Sequence, residues 1–268
     1  MQKLTLALKM KNILLLLGLF FITSPCLAQS DQEKGLQIIE EMVKRDKGWQ
    51  DSQAEMKMIL RTRSGREAVR LLRINTLEVT GDGDKSLTIF DSPGDVRGTA
   101  FLSYTHALEP DDQWLYLPAL RRVRRISSNN KSGPFLGSEF AFEDLTSFEV
   151  PKYKYRYLRE EAVDGIDCFV VELDPQYEHS GYTRQISWID KERYIPIKVE
   201  YYDRRNALLK TLENKDYRQY LDQYWRAHDM LMTNHQNGKS TSLLIENIEF
   251  RTGLTERDFD QNTLRRAR

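Results

Sequence analysis

Cysteine is scarce in this chain: only Cys26 and Cys168 occur in 268 residues. Two thiols do not make a disulfide framework. None is required, since a chain of this length buries roughly 70% of its unfolded surface in forming a core. Histidine is nearly as rare, with His106, His179, His228 and His235 scattered along the sequence. His228 and His235 stand seven apart on a predicted strand and hairpin. That parity sets them on opposite faces, a poor arrangement for holding a metal. The zinc-protease, serine-hydrolase, P-loop and dinucleotide fingerprints are all absent. Asp82-Gly83-Asp84 lacks the remaining ligands of a calcium loop and reads as a turn. The sequence therefore offers no catalytic set, no metal site and no cofactor site. Neither sign of charge dominates, with 40 basic and 40 acidic residues, which argues against nucleic acid as a partner. No apolar run reaches about 18 residues, the length that reads as a membrane-spanning helix.

What is present begins with an export signal. Lys3, Lys9 and Lys11 form a positive segment free of acids, and residues 13–22 are apolar. That run is too short for a hydrocarbon core that needs about 20 residues. Thr23-Ser24-Pro25 ends it, and Cys26 and Ala28 then place small residues before Gln29. This is the layout of a cleavable signal peptide, with the cut after Ala28. Cys26 follows the apolar stretch as a lipid-modified cysteine would, but Pro25 stands where a small flexible residue is expected. Residues 1–28 are thus expected to be lost and residues 29–268 to form one domain outside the cytoplasm. Removing three lysines and no acid leaves that part with a net charge of −3. Its one thiol, Cys168, lies in the strand-like run Ile-Asp-Cys-Phe-Val-Val and reads as a packed side chain.

Hydrophobic spacing then divides the chain. Leu36, Ile39, Met42 and Val43 make a helical stripe over residues 32–47, ended by Gly48. Beyond it the period falls to two, in segments at 54–60, 67–79, 86–90, 99–107 and 113–117. The same pattern resumes over 153–159, 166–173, 185–190, 195–203, 208–217, 224–233 and 240–250. Asn237-Gly238 is a strong hairpin signal between the last two. Short links imply an antiparallel sheet of about eleven strands. Residues 127–150 carry little regular pattern apart from a short helical piece, and a loop this long is expected to be a lid, a binding loop or disordered.

The distinctive stretch is Trp114-Leu115-Tyr116-Leu117-Pro118, followed by Arg121, Arg122, Val123, Arg124 and Arg125. Trp114 and Tyr116 share one strand face and Leu115 and Leu117 the other, as in a strand buried on both sides. Arginine forks bind carboxylate or phosphate. The arginines therefore either form an internal ion-pair network with Glu139, Glu143 and Asp144, or hold an anionic headgroup, or guard a solvated edge strand.

These residues, with Gly137-Ser138-Glu139-Phe140 and Glu143-Asp144, resemble the bacterial family of outer-membrane lipoprotein-sorting proteins, which is similar in fold to the LolA and LolB lipoprotein carriers. The resemblance implies a mainly β (α+β) fold: a strongly curved antiparallel half-barrel closed by the N-terminal helix and short helices. It implies a periplasmic, non-enzymatic carrier of lipid or lipoprotein acyl chains, with an inner-membrane transporter and an outer-membrane acceptor as partners. Candidate lining residues for an apolar cavity are Met56, Met58, Leu60, Trp114, Tyr116, Phe169, Val171, Trp188, Val199, Tyr201, Met230 and Met232. Methionine suits this role because it repacks around varied ligands. The alternative is an accessory protein that binds a transporter through its sheet or its arginines.

Overall fold

A computed structural model describes residues 29–262 and 264–266. The export signal lies outside the described residues. Among the described residues one α-helix, α1 (Asp31–Arg45), precedes thirteen strands. Ser30 and Glu33 cap it reciprocally: the Glu33 amide donates to Ser30 Oγ at 3.2 Å and the Ser30 amide to Glu33 Oε2 at 3.1 Å. Asp31 and Glu33 in its first turn and Lys44 and Arg45 in its last match the helix dipole.

The strands are β1 (Asp51–Arg61), β2 (Glu67–Leu77), β3 (Lys85–Ser92), β4 (Ala100–Tyr104), β5 (Asp112–Leu117), β6 (Arg122–Arg125) and β7 (Tyr153–Val163). They continue as β8 (Ile166–Pro175), β9 (Tyr182–Asp190), β10 (Pro196–Asp203), β11 (Leu208–Tyr220), β12 (Tyr224–Asn234) and β13 (Ser240–Phe250). Thirteen replace the eleven expected. The strand outside the twelve alternating segments is β6, where an arginine-guarded edge strand was one of the readings. All thirteen form one antiparallel sheet in the order β6-β5-β4-β3-β2-β1-β13-β12-β11-β10-β9-β8-β7. Sheet neighbours are chain neighbours except where β1 meets β13. The sheet stays open between β6 and β7.

The sheet curves. Side chains from β1 to β5 and from β10 to β13 meet in a single cluster on its inner face, around Met58, Phe90, Phe101 and Met232. Bulges at Glu55/Met56, Tyr157/Arg159 and Tyr201/Tyr202 bend individual strands. Helix α1 lays Ile38 and Ile39 on Tyr155, Val171, Leu173 and Ile189, covering the β7–β9 part of the inner face. It lies very close: a Cβ on Gly35 would sit 2.8 Å from the Tyr157 amide nitrogen. On the outer face, Phe259 and Leu264 of the C-terminal segment cover Leu87, Ile89, Ala100 and Leu102.

Candidate functional site

Strand parity aims part of the expected lining at the interior. Met56, Met58 and Leu60 of β1, Val199 and Tyr201 of β10, and Met230 and Met232 of β12 all contribute to the inner cluster. Met56 stands opposite Leu72 and Met230 opposite Leu243, so these apolar groups continue across strands. Phe169 and Val171 lie apart, in the patch under α1. Trp114, Tyr116 and Trp188 correct the expectation. The first two pack outward against the C-terminal segment, and Trp188 packs outward with Cys168, Val170 and Ile197. On β5 it is Leu115 and Leu117 that face inward. Alternation shows which residues share a face; it does not show which face becomes concave.

The interior is occupied by the chain itself. Residues 127–150, within the link from β6 to β7, were expected to be a lid, a binding loop or disordered; their central part inserts into the half-barrel as a plug. Phe135 is only 1% exposed and Phe140 4%, and Leu136, Phe142 and Leu145 pack with them on the inner cluster. The Phe135 ring lies 5.2 Å from Phe101, 5.5 Å from Phe142 and 5.9 Å from Phe90, centroid to centroid. The plug is folded on itself, with the Phe135 amide donating to Phe140 O at 2.7 Å. Sheet residues hold it: Arg70 donates to Leu136 O at 2.8 Å and Gln113 Nε2 to Phe142 O at 3.1 Å. The Glu139 amide donates to Thr241 Oγ1 at 3.0 Å.

Two plug carboxylates are held mainly by donors on the sheet and in the turn between β8 and β9. Asp144 meets Lys210 Nζ at 2.6 Å, accepts from Tyr182 OH at 2.7 Å and accepts from the Ala141 amide at 2.6 Å. Both members of the ion pair are nearly fully buried. Lys210 Nζ also donates to Glu139 O at 3.0 Å. Glu143 accepts from the Gly181 amide at 2.8 Å and from Ser180 Oγ and Tyr177 OH, both at 3.0 Å. Burial raises the pKa of Glu143, with the Asp144 charge adding to the effect. Burial and Asp144 likewise push the Tyr182 phenol well above its ordinary value. Beside these groups opens a cleft of about 590 Å³. Gly181, Tyr182, Glu139 and Lys210 line it, together with Arg204, Arg205 and Lys239 from hairpin turns. The pairing of Asp144 with Lys210, 66 residues apart, has no local sequence signal.

The arginine–acid network does not form. Glu139 Oε2 accepts from Asn234 and Asn237, and Glu143 and Asp144 are engaged as above. Arg121, Arg122 and Arg124 are exposed and have no ion-pair partner among the described residues, while Arg125 pairs with Asp112. The acids lie inside on the plug, whereas the arginines lie on or beside the sheet edge β6. The histidines are engaged separately. His106 contacts Asp82 at 2.7 Å and holds that carboxyl down at about 2. His228 is buried between Tyr220 OH and Ile245 O, His235 contacts Thr211, and His179 is exposed in a turn.

Comparison with known proteins places this arrangement. A family model described only as "Uncharacterized protein" matches residues 82–266. The chain is similar to a crystal structure of an outer-membrane lipoprotein-sorting protein domain from Vibrio parahaemolyticus. Identity is 58%, with 87% of this chain and 99% of that one covered and a TM-score of 0.86. A DUF1329 family protein from Desulfovibrio piger is 29% identical over 88% of this chain and 100% of its own, with a TM-score of 0.83. A LolA superfamily protein from Nitrosomonas europaea shares the fold at 21% identity and a TM-score of 0.68, over 88% of this chain and 99% of its own. No curated protein matches.

Proposed function

Because the chain belongs to the family of outer-membrane lipoprotein-sorting proteins, we propose that residues 29–268 act as one periplasmic domain that carries the acyl chains of a lipid or lipoprotein between envelope membranes. The observation that carries this reading is the makeup of the half-barrel. Its inner face is apolar and rich in methionine, and it is filled by a separate phenylalanine-bearing segment of the same chain, with no second sheet layer over it among the described residues. A segment held by side-chain contacts can leave and return, whereas strands fixed in a ladder cannot. Withdrawal of the plug would open an apolar trough of the kind that binds acyl chains. Transfer then needs only an exchange of apolar contacts, with no covalent chemistry and no cofactor. The test is transfer of a pyrene-labelled lipid from donor to acceptor vesicles. Acceleration proportional to protein concentration supports a carrier; no acceleration, together with no uptake of a fluorescent fatty acid, overturns it.

A second reading has its own support in Arg121, Arg122 and Arg124, exposed at the edge β6 without ion-pair partners. These forks would suit a carboxylate-bearing surface of an envelope transporter. Reversing Arg122 and Arg124 to glutamate would then abolish capture of that partner and leave lipid uptake intact. Retained capture by the double variant counts against this docking role.

A further inference from the structure

Withdrawing the plug would leave more than an apolar trough. Lys210 Nζ has two hydrogen-bond partners, Asp144 Oδ2 at 2.6 Å and Glu139 O at 3.0 Å, and both belong to the plug. Tyr182 OH donates to Asp144 Oδ1. Ser180 Oγ, Tyr177 OH and the Gly181 amide donate to Glu143. At this contact the sheet and its turns supply the donors and one full positive charge, and the plug supplies the acceptors. Lys210 is walled by the rings of Tyr182 and Tyr201, 5.2 and 5.3 Å from its nitrogen. A cation in such a place requires an anion, since an unpaired charge removed from water is strongly unfavourable. A neutral amphiphile that displaced the plug would fill the trough and strand Lys210. An anionic one would satisfy both. The plug has the composition of such a molecule: apolar rings at Phe135, Phe140 and Phe142, then carboxylates at Glu143 and Asp144.

We infer that the ligand of this half-barrel is an anionic amphiphile whose carboxylate or phosphate head takes the place of Asp144 on Lys210 and Tyr182. The cleft of about 590 Å³ gives such a head a route to both groups, and Arg204, Arg205 and Lys239 line it. This inference rests on the carrier reading and adds the headgroup class to it.

The test compares dansyl-undecanoic acid with its neutral methyl ester by fluorescence titration of the full mature chain. The acid should bind at least tenfold more tightly. Lys210→Met, which keeps a long apolar stem without the charge, should bring acid and ester to equal affinity with the ester still bound. Asp144→Asn weakens the plug's hold on Lys210 and should raise affinity for the acid more than for the ester. It also serves if Lys210→Met fails to fold. Competition by laurate, lauryl phosphate and inorganic phosphate separates the sources. Displacement by both amphiphiles but not by inorganic phosphate supports a chain-bearing ligand; displacement by inorganic phosphate at equal concentration overturns it. Equal binding of acid and ester by the unmodified protein overturns the headgroup assignment while the carrier reading stands. Failure of both probes to bind, in the unmodified protein and in Asp144→Asn, overturns both.

Discussion

Phe135→Ala should make the protein less stable and, at the same time, a tighter binder. Phe135 is buried among Phe90, Phe101 and Phe142. Truncating a buried phenylalanine costs about 3–5 kcal/mol. The cost falls on the plugged state, because a half-barrel holding ligand no longer holds this ring. A loss of about 3 kcal/mol is a factor of roughly 150 in the plugging equilibrium. Apparent affinity scales with the fraction of molecules competent to bind, so it should rise by a similar factor until most molecules stand open. Urea unfolding reports the stability, titration with dansyl-undecanoic acid reports the affinity, and hydrogen exchange shows whether amides of residues 131–147 open first. Leu102→Ala is the control. It removes an equally buried side chain on the outer face, beneath Phe259 and Leu264, at a cost of about 2–5 kcal/mol. It should lower stability without tightening binding. If Phe135→Ala loses stability while its affinity stays level or falls, the plug does not compete with the ligand.

Three further predictions concern the scaffold. Burial, aided by Glu149 and Glu78, pushes Asp84 up to about 7. Its carboxyl thus ionises later in the folded chain than in the unfolded one, and stability should fall as pH rises from about 4 to 7, by up to about 4 kcal/mol. Asp84→Asn should flatten that slope and match the unmodified protein near pH 4; an unchanged slope in urea titrations would remove Asp84 as its cause. Burial raises the Cys168 thiol to about 11, so a thiol reagent at pH 8 should label it only after denaturant is added, and rapid labelling of the folded protein would contradict the packing. Gly35→Ala drives a methyl into the backbone of Arg156 and Tyr157, and overpacking of this kind costs about 1–3 kcal/mol. Its melting temperature should fall although alanine favours helices, and a rise would mean that α1 can shift off β7.

Much of the fold could be read because it repeats locally. The stripe of Leu36, Ile39 and Met42 becomes the buried side of α1, and Asn237-Gly238 sits in the turn between β12 and β13. What could not be read depended on curvature and on distance along the chain. Trp114 and Tyr116 do share a face, but only the bend of the sheet decides that it is the outer one. The plug carried a signal that its irregular spacing hid: Phe135, Phe140, Phe142 and Leu145 are too many large apolar side chains for a loop exposed to water. The arginines formed a conspicuous motif but stand at an edge strand, whereas the most buried lysine among the described residues is Lys210, which no motif marks.

The most direct test of the carrier account is native mass spectrometry of the mature protein purified from bacterial envelopes without detergent. The account predicts a population heavier than the bare chain by the mass of an acyl lipid, lost when detergent is added. A lipid-free protein whose Phe135→Ala variant also fails to take up dansyl-undecanoic acid would contradict it.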